Sequence, residues 1–130
     1  MNETALSYYR KALDCLEDAR ILLAQHRYEG TCNRAYYAFF DGIRALLATE
    51  DIASQSHTGA HTLFSLHFIK TQRMTPHWSS VLKELFEKRQ GGDYELDVVL
   101  TQDDATATVV QATAFLAEVR QYLIDKGLLS

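Results

Sequence analysis

The stretch Cys32-Asn33-Arg34-Ala35-Tyr36-Tyr37-Ala38-Phe39-Phe40-Asp41-Gly42-Ile43-Arg44-Ala45-Leu46-Leu47 decides the fold. Cys32, Tyr36, Phe39, Phe40, Ile43, Leu46 and Leu47 return at separations of four, three and one. That spacing gathers side chains on one face of a helix and is out of step with the two-residue alternation of a strand. The segment is the most aromatic of the chain, and Thr31, after a short turn at Arg27 to Gly30, is one candidate for its cap.

Working outward, Ala5, Tyr9, Ala12, Leu16, Ala19 and Leu23 lay a similar stripe along a preceding helix from Glu3 to His26, capped by Asn2 or Thr4. Asp14, Glu17, Asp18 and Arg20 fall on its other faces as a solvated surface. Downstream, the polar segment Thr49 to Ser56 reads as a loop, and a shorter helix from about Thr58 to Ile69 carries Leu63, Phe64 and Phe68. Beyond Pro76, a helix from about His77 to Gln90 puts Trp78, Leu82 and Leu85 on its buried line, and Gly91-Gly92 is the expected stop. Thr101 and Asp104 form a capping box for a last helix, along which Ala105, Val109, Ala112, Leu116, Val119 and Leu123 keep helical spacing. The expectation is an all-α, antiparallel up-and-down bundle of four to five helices, one domain over residues 1–130.

Composition narrows the function classes. The chain has 130 residues, is 47% hydrophobic and carries a net charge of -4, enough for one buried core and contrary to the broad basic footprint that holds duplex DNA. Cys15 and Cys32 lie inside helical patterns and form no C-x-x-C pair, so they read as core residues in a reducing compartment. No apolar run reaches the length of a membrane span, and the first residues lack the pattern of a signal peptide, so the expected location is cytoplasmic. No glycine-rich phosphate loop or nucleophile elbow occurs, which removes dinucleotide, P-loop and hydrolase readings.

The polar residues of the central helix are the first candidates for chemistry. Arg34, Tyr37, Asp41 and Arg44 follow spacings of three, four and three, so they share one face beside the apolar stripe. That polar seam either fixes packing through pairs such as Asp41 with Arg44 and Asn33 with Tyr37, or lines a cleft for a phosphate-bearing ligand. Arg89 falls on the line of Leu82 and Leu85, where a guanidinium is either paired inside or opens onto a groove. Asp93 and Tyr94 follow it closely enough to be partners. His57 and His61, four apart, have the spacing of two metal ligands, but no third ligand is in view, so no metal site and no cofactor are expected.

Taken together, Asn33-Arg34-Ala35-Tyr36-Tyr37-Ala38-Phe39, Ser54 with His57 and Gly59, Phe68-Ile69-Lys70-Thr71, and Arg89 followed by Asp93-Tyr94 resemble the small bacterial and archaeal HEPN proteins over nearly the whole chain. The resemblance implies a helical bundle that pairs as a homodimer and works beside a separate minimal nucleotidyltransferase in toxin-antitoxin or defence pairs. Many such proteins are metal-independent ribonucleases, in which an arginine is followed four to six residues later by a histidine. Here Arg89 matches the arginine, but those positions are Asp93, Tyr94 and Glu95, and no histidine follows.

Three readings follow. In the favoured one, a binding module engages a nucleotide, RNA or a nucleotidyltransferase through a groove lined by Asn33, Arg34, Tyr37, Asp41, Arg44, Arg89 and Tyr94. A second is a ribonuclease, with Arg89, Asp93 and Tyr94 as the catalytic candidates or a histidine from elsewhere, such as His57, replacing the missing base; an unperturbed Asp is a weak base at neutral pH. A third is a structural adaptor.

Overall fold

A computed structural model of the protein describes residues 2–54, 56–94 and 99–130, with the side chains of residues 90–94 outside that description. Among the described residues there are five α-helices and no strand: α1 (Glu3–Ala24), α2 (Tyr28–Ala48), α3 (His57–Phe64), α4 (Trp78–Tyr94) and α5 (Gln102–Asp125). Helix α2 packs against all four others and against α1 along the greatest length, so it is the axis of the bundle. Accordingly its buried residues run around most of its circumference, the pattern of a helix enclosed by its neighbours.

The aromatic stripe explains why α2 takes that position. Phe39 stacks on Phe115 of α5 with ring centroids 3.7 Å apart, and Trp78 of α4 meets both rings edge-on. The close approach of α2 to α5 depends on Gly42, where an added Cβ would stand 2.7 Å from a methyl of Leu116 and 3.0 Å from the Phe115 ring. Cys15 and Cys32 are free thiols buried in this interior.

The capping box of α5 forms as the sequence indicates: the Thr101 hydroxyl accepts from the Asp104 N–H, and the Asp104 carboxylate accepts from the Thr101 N–H at 2.9 Å. Other boundaries differ from the sequence reading. Helix α2 starts three residues before Thr31, whose hydroxyl is buried and donates back to the Arg27 carbonyl at 2.8 Å instead of capping. Asn2 holds the cap position of α1 but donates to the Ala48 carbonyl, tying α1 to the end of α2. The third helix is shorter than expected, with Ser56 as its cap, and passes into a π-helical turn over Ser65–Ile69. That turn accompanies the burial of both Phe64 and Phe68.

Helix α4 does not stop at Gly91-Gly92 but runs to Tyr94. Glycine lowers helix stability without removing a backbone donor or clashing as proline does, so it permits a stop and does not impose one. The turns that end α1, α2 and the π-helical segment use residues other than glycine: His26, Asp51 and Gln72 take positive φ near 60°, and the next N–H reaches back to Leu22, Leu47 and Phe68 respectively. Gly127 closes α5 in the same way. Each bond satisfies a carbonyl that a helix end would otherwise leave open.

Glu118, which the sequence did not single out, anchors the connection into α4. Its carboxylate accepts from the Thr75 N–H at 2.8 Å, the Thr75 hydroxyl at 2.8 Å and the Trp78 indole N–H at 3.1 Å. These donors outweigh its partial burial and hold its carboxyl below the usual range.

Candidate functional site

The same helix that packs the core turns a polar aromatic edge toward α3 and α4. Tyr36 is fully buried, and a buried phenol needs partners for its hydroxyl. It finds two imidazoles: His57 Nδ1 at 2.6 Å and His61 Nε2 at 3.1 Å. A phenol has one proton, so it donates to one ring and accepts from the other, and the pair is satisfied by two neutral histidines. The four-residue spacing of His57 and His61 thus serves a tyrosine. Among the described residues no group of three or more His, Cys, Asp or Glu could hold a metal ion.

The surroundings keep both imidazoles neutral. Burial, with His57 nearby, lowers His61 to about 4. Burial, together with the charges of Arg89 and Arg44, also lowers His57 from its ordinary value. Burial pushes the Tyr36 phenol up despite Arg89 beside it. His57 lies flat on Phe40 with centroids 4.4 Å apart, and Phe86 of α4 meets the edge of His61.

Arg89 enters this cluster from α4. Its Nη2 donates to the Tyr37 hydroxyl at 3.2 Å, and its guanidinium lies 5.5 Å and 5.3 Å from the ring centroids of Tyr36 and Tyr37, within the range of a cation–π contact. The structure therefore brings together Arg89, Tyr37, Tyr36, His57 and His61 from three helices. Asn33 stands one turn before Tyr37 on α2. Asp93 and Tyr94 belong to the last turn of α4, inside the helix and not beyond a turn as the sequence suggested. Their side chains, and so their expected roles beside Arg89, lie outside the described residues.

Arg34, Asp41 and Arg44 form a separate cluster on the α1 side of α2. They line a cleft with Lys11, Cys15, Tyr37 and Phe40. The expected pair of Asp41 with Arg44 is not made: among the described residues no ion pair holds Asp41, which accepts only the Cys15 thiol at 3.8 Å. Arg44 instead extends over Tyr8, 4.6 Å from its ring centroid, and over Phe40 at 5.3 Å. Its long apolar stem and flat head favour the aromatic surface. Tyr37 belongs to both clusters, with Arg89 on its hydroxyl and Arg34 5.8 Å from its ring centroid.

Sequence reasoning missed Lys11, Cys15 and Phe86 as wall residues, and it missed the assembly of Tyr36 with the two histidines. The signal was present in part, since a tyrosine in mid-helix and an i,i+4 histidine pair were both visible, but nothing in the sequence joined them. No described helix is long and apolar enough to cross a membrane.

The chain is similar to known proteins over most of its length. The HEPN domain family model matches residues 5–122. A UPF0332 protein of Thermotoga maritima is 30% identical over 124 residues, covering 95% of this chain and 94% of that protein. Two proteins of Methanocaldococcus jannaschii, each named as a candidate toxin, are 29% and 27% identical, covering 92% and 83% of this chain and 81% and 80% of their own lengths.

Proposed function

This chain belongs to the HEPN domain family, and on that premise we propose that it is a binding module for a nucleotide or RNA, working as a homodimer beside a minimal nucleotidyltransferase in a toxin-antitoxin or defence pair. The observation that carries the ligand class is Arg89, whose guanidinium is held by the Tyr37 hydroxyl and two aromatic rings at the edge of α2. A guanidinium is a planar fork of donors, the geometry that suits a phosphate. The toxin names of the Methanocaldococcus jannaschii relatives support the paired system. Titration of a short labelled RNA and of ATP into the protein in EDTA tests the reading. Binding that weakens with Arg89→Lys supports it, and equal affinity for wild type and Arg89→Lys refutes it.

A second reading, a metal-independent ribonuclease, gains from one specific observation. The histidine absent after Arg89 has a spatial counterpart in His57, a neutral imidazole on the same aromatic cluster. A neutral imidazole is the side chain best suited to take a proton from a ribose hydroxyl near neutral pH. Incubation with structured RNA in EDTA separates the two readings: cleavage abolished by both His57→Gln and Arg89→Ala favours the enzyme, and intact RNA leaves the binding module.

A further inference from the structure

The cleft between α1 and α2 shares Tyr37 with the Arg89 cluster but has its own charge. It has a volume of about 190 Å³ and is lined by Lys11 and Cys15 of α1 and by Arg34, Tyr37, Phe40, Asp41 and Arg44 of α2. Three cations thus face one carboxylate across a single opening. Asp18 touches Arg34 at 3.8 Å from outside this lining, through two exposed side chains, where an ion pair is weak.

The cations are not consumed by Asp41. The carboxyl is buried and, among the described residues, accepts only the Cys15 thiol and forms no ion pair with Lys11, Arg34 or Arg44. Arg34 gives one Nη2 contact to the Cys15 sulfur at 2.9 Å, and its Nε is buried with no acceptor among the described residues. A buried donor without an acceptor costs free energy, and an entering oxyanion is the natural partner. Arg44 lies over Tyr8 and Phe40, and Arg34 over Tyr37, contacts that restrict both guanidinium groups before a ligand arrives.

From this arrangement we infer that the α1–α2 cleft is a second, independent anion site that takes a phosphate monoester, the terminal group of a mononucleotide, on Lys11, Arg34 and Arg44. Its volume is below the roughly 300 Å³ at which pockets for whole drug-sized ligands begin. The phosphate enters, and the remainder of the ligand lies at the mouth against Tyr37. Asp41 opposes the anion. Burial raises its carboxyl above the ordinary range, with Lys11 and Arg44 pulling the other way.

The sign of the Asp41 effect makes the inference testable. Inorganic phosphate, AMP and adenosine are titrated at low salt into wild type, Lys11→Gln, Arg44→Gln, Asp41→Asn and Arg89→Ala. Lys11 is exposed, so its substitution leaves a folded protein whatever Arg44→Gln does. Phosphate and AMP are expected to bind with dissociation constants below about 1 mM, and Lys11→Gln or Arg44→Gln to weaken them roughly tenfold or more, the scale of one charge-assisted contact. Asp41→Asn is expected to tighten both, and Arg89→Ala to leave in place the part of the binding that Lys11→Gln and Arg44→Gln remove. AMP binding more tightly than phosphate shows a nucleoside at the mouth, and equal binding shows that the phosphate alone is read. Adenosine binding as well as AMP, Asp41→Asn weakening the anion, or no saturable binding of either anion overturns the site. Loss of AMP binding in Arg89→Ala with Lys11→Gln and Arg44→Gln unaffected assigns the ligand to the Arg89 groove and also overturns it.

Discussion

Helix α2 makes two contacts of opposite character. Toward α5 it is dry and tightly packed, with Phe39 stacked on Phe115 and Gly42 pressed against Leu116. Toward α3 and α4 it presents phenols, imidazoles and a guanidinium joined by hydrogen bonds and ring faces. On the first side any change of volume is felt, because interiors are packed like crystals. On the second, the groups are polar and, Tyr36 apart, half-buried, and their positions depend on donors and acceptors. One helix thus gives rigidity on one side and holds chemical groups in register on the other.

The largest effect is expected on the dry side. Phe115→Ala removes the ring that meets Phe39, Phe64 and Trp78, and urea unfolding should show a loss of about 3–5 kcal/mol. A loss under about 1 kcal/mol would mean that the α2–α5 seam is not close-packed, and the contrast would fail.

The polar side should show itself next, through pH. His61 is held at about 4 in the folded protein against an ordinary 6.5, and His57 is lowered in the same direction. Below pH 6.5 the unfolded chain takes up protons that the folded one refuses, so stability is full above 6.5 and falls as pH drops toward 4. For His61 the fall amounts to about 3 kcal/mol at most, at 1.36 kcal/mol for each unit of pKa. Comparing unfolding at pH 7 and pH 4.5 in wild type and His61→Gln checks this, since the variant should lose most of the slope in that window. An unchanged slope would remove His61 from the account.

Gly42→Ala comes third. The new methyl meets Leu116 at 2.7 Å, and overpacking costs about 1–3 kcal/mol, against which alanine returns about 1 kcal/mol of helix propensity. A net loss by thermal denaturation is expected, and a rise in Tm would show that α5 moves aside freely.

The same contrast governs what could be read from the sequence. The dry side was legible because periodicity reports burial directly: Tyr36, Phe39, Phe40, Ile43, Leu46, Val109, Ala112 and Leu116 all fall on the stripes that spacing marks, and all are buried. Gly42 was not, because nothing in a sequence tells which face of a glycine meets another helix. The seam of Arg34, Tyr37, Asp41 and Arg44 was legible as a shared face, yet its partners were not. Asp41 meets Cys15 of α1 instead of Arg44, and Tyr36 meets histidines 21 and 25 residues away. Such contacts are set by how helices pack, and local spacing is silent on them. The Gly91-Gly92 pair misled for a related reason: left-handed helix ends fell on His26, Asp51 and Gln72, where the chain had to turn.

Arg89→Lys should have the smallest effect on stability and the most informative one on function. Arg89 is half-buried in the fold, donates to Tyr37 and lies against two rings. Lysine keeps the charge and much of the apolar stem but loses the planar fork and the stacking of a flat cation. The hydrogen bond to Tyr37 lies between partly solvated groups, so its loss should cost no more than about 1.5 kcal/mol. A phosphate held bidentately loses one of two donors and the geometry that selects it, so RNA or nucleotide affinity should fall while the protein remains folded by circular dichroism. If Arg89→Lys unfolds the protein and binding per folded molecule stays intact, the arginine is a packing element. The polar side of α2 would then be a wetter version of the dry side and not a place where a ligand is met.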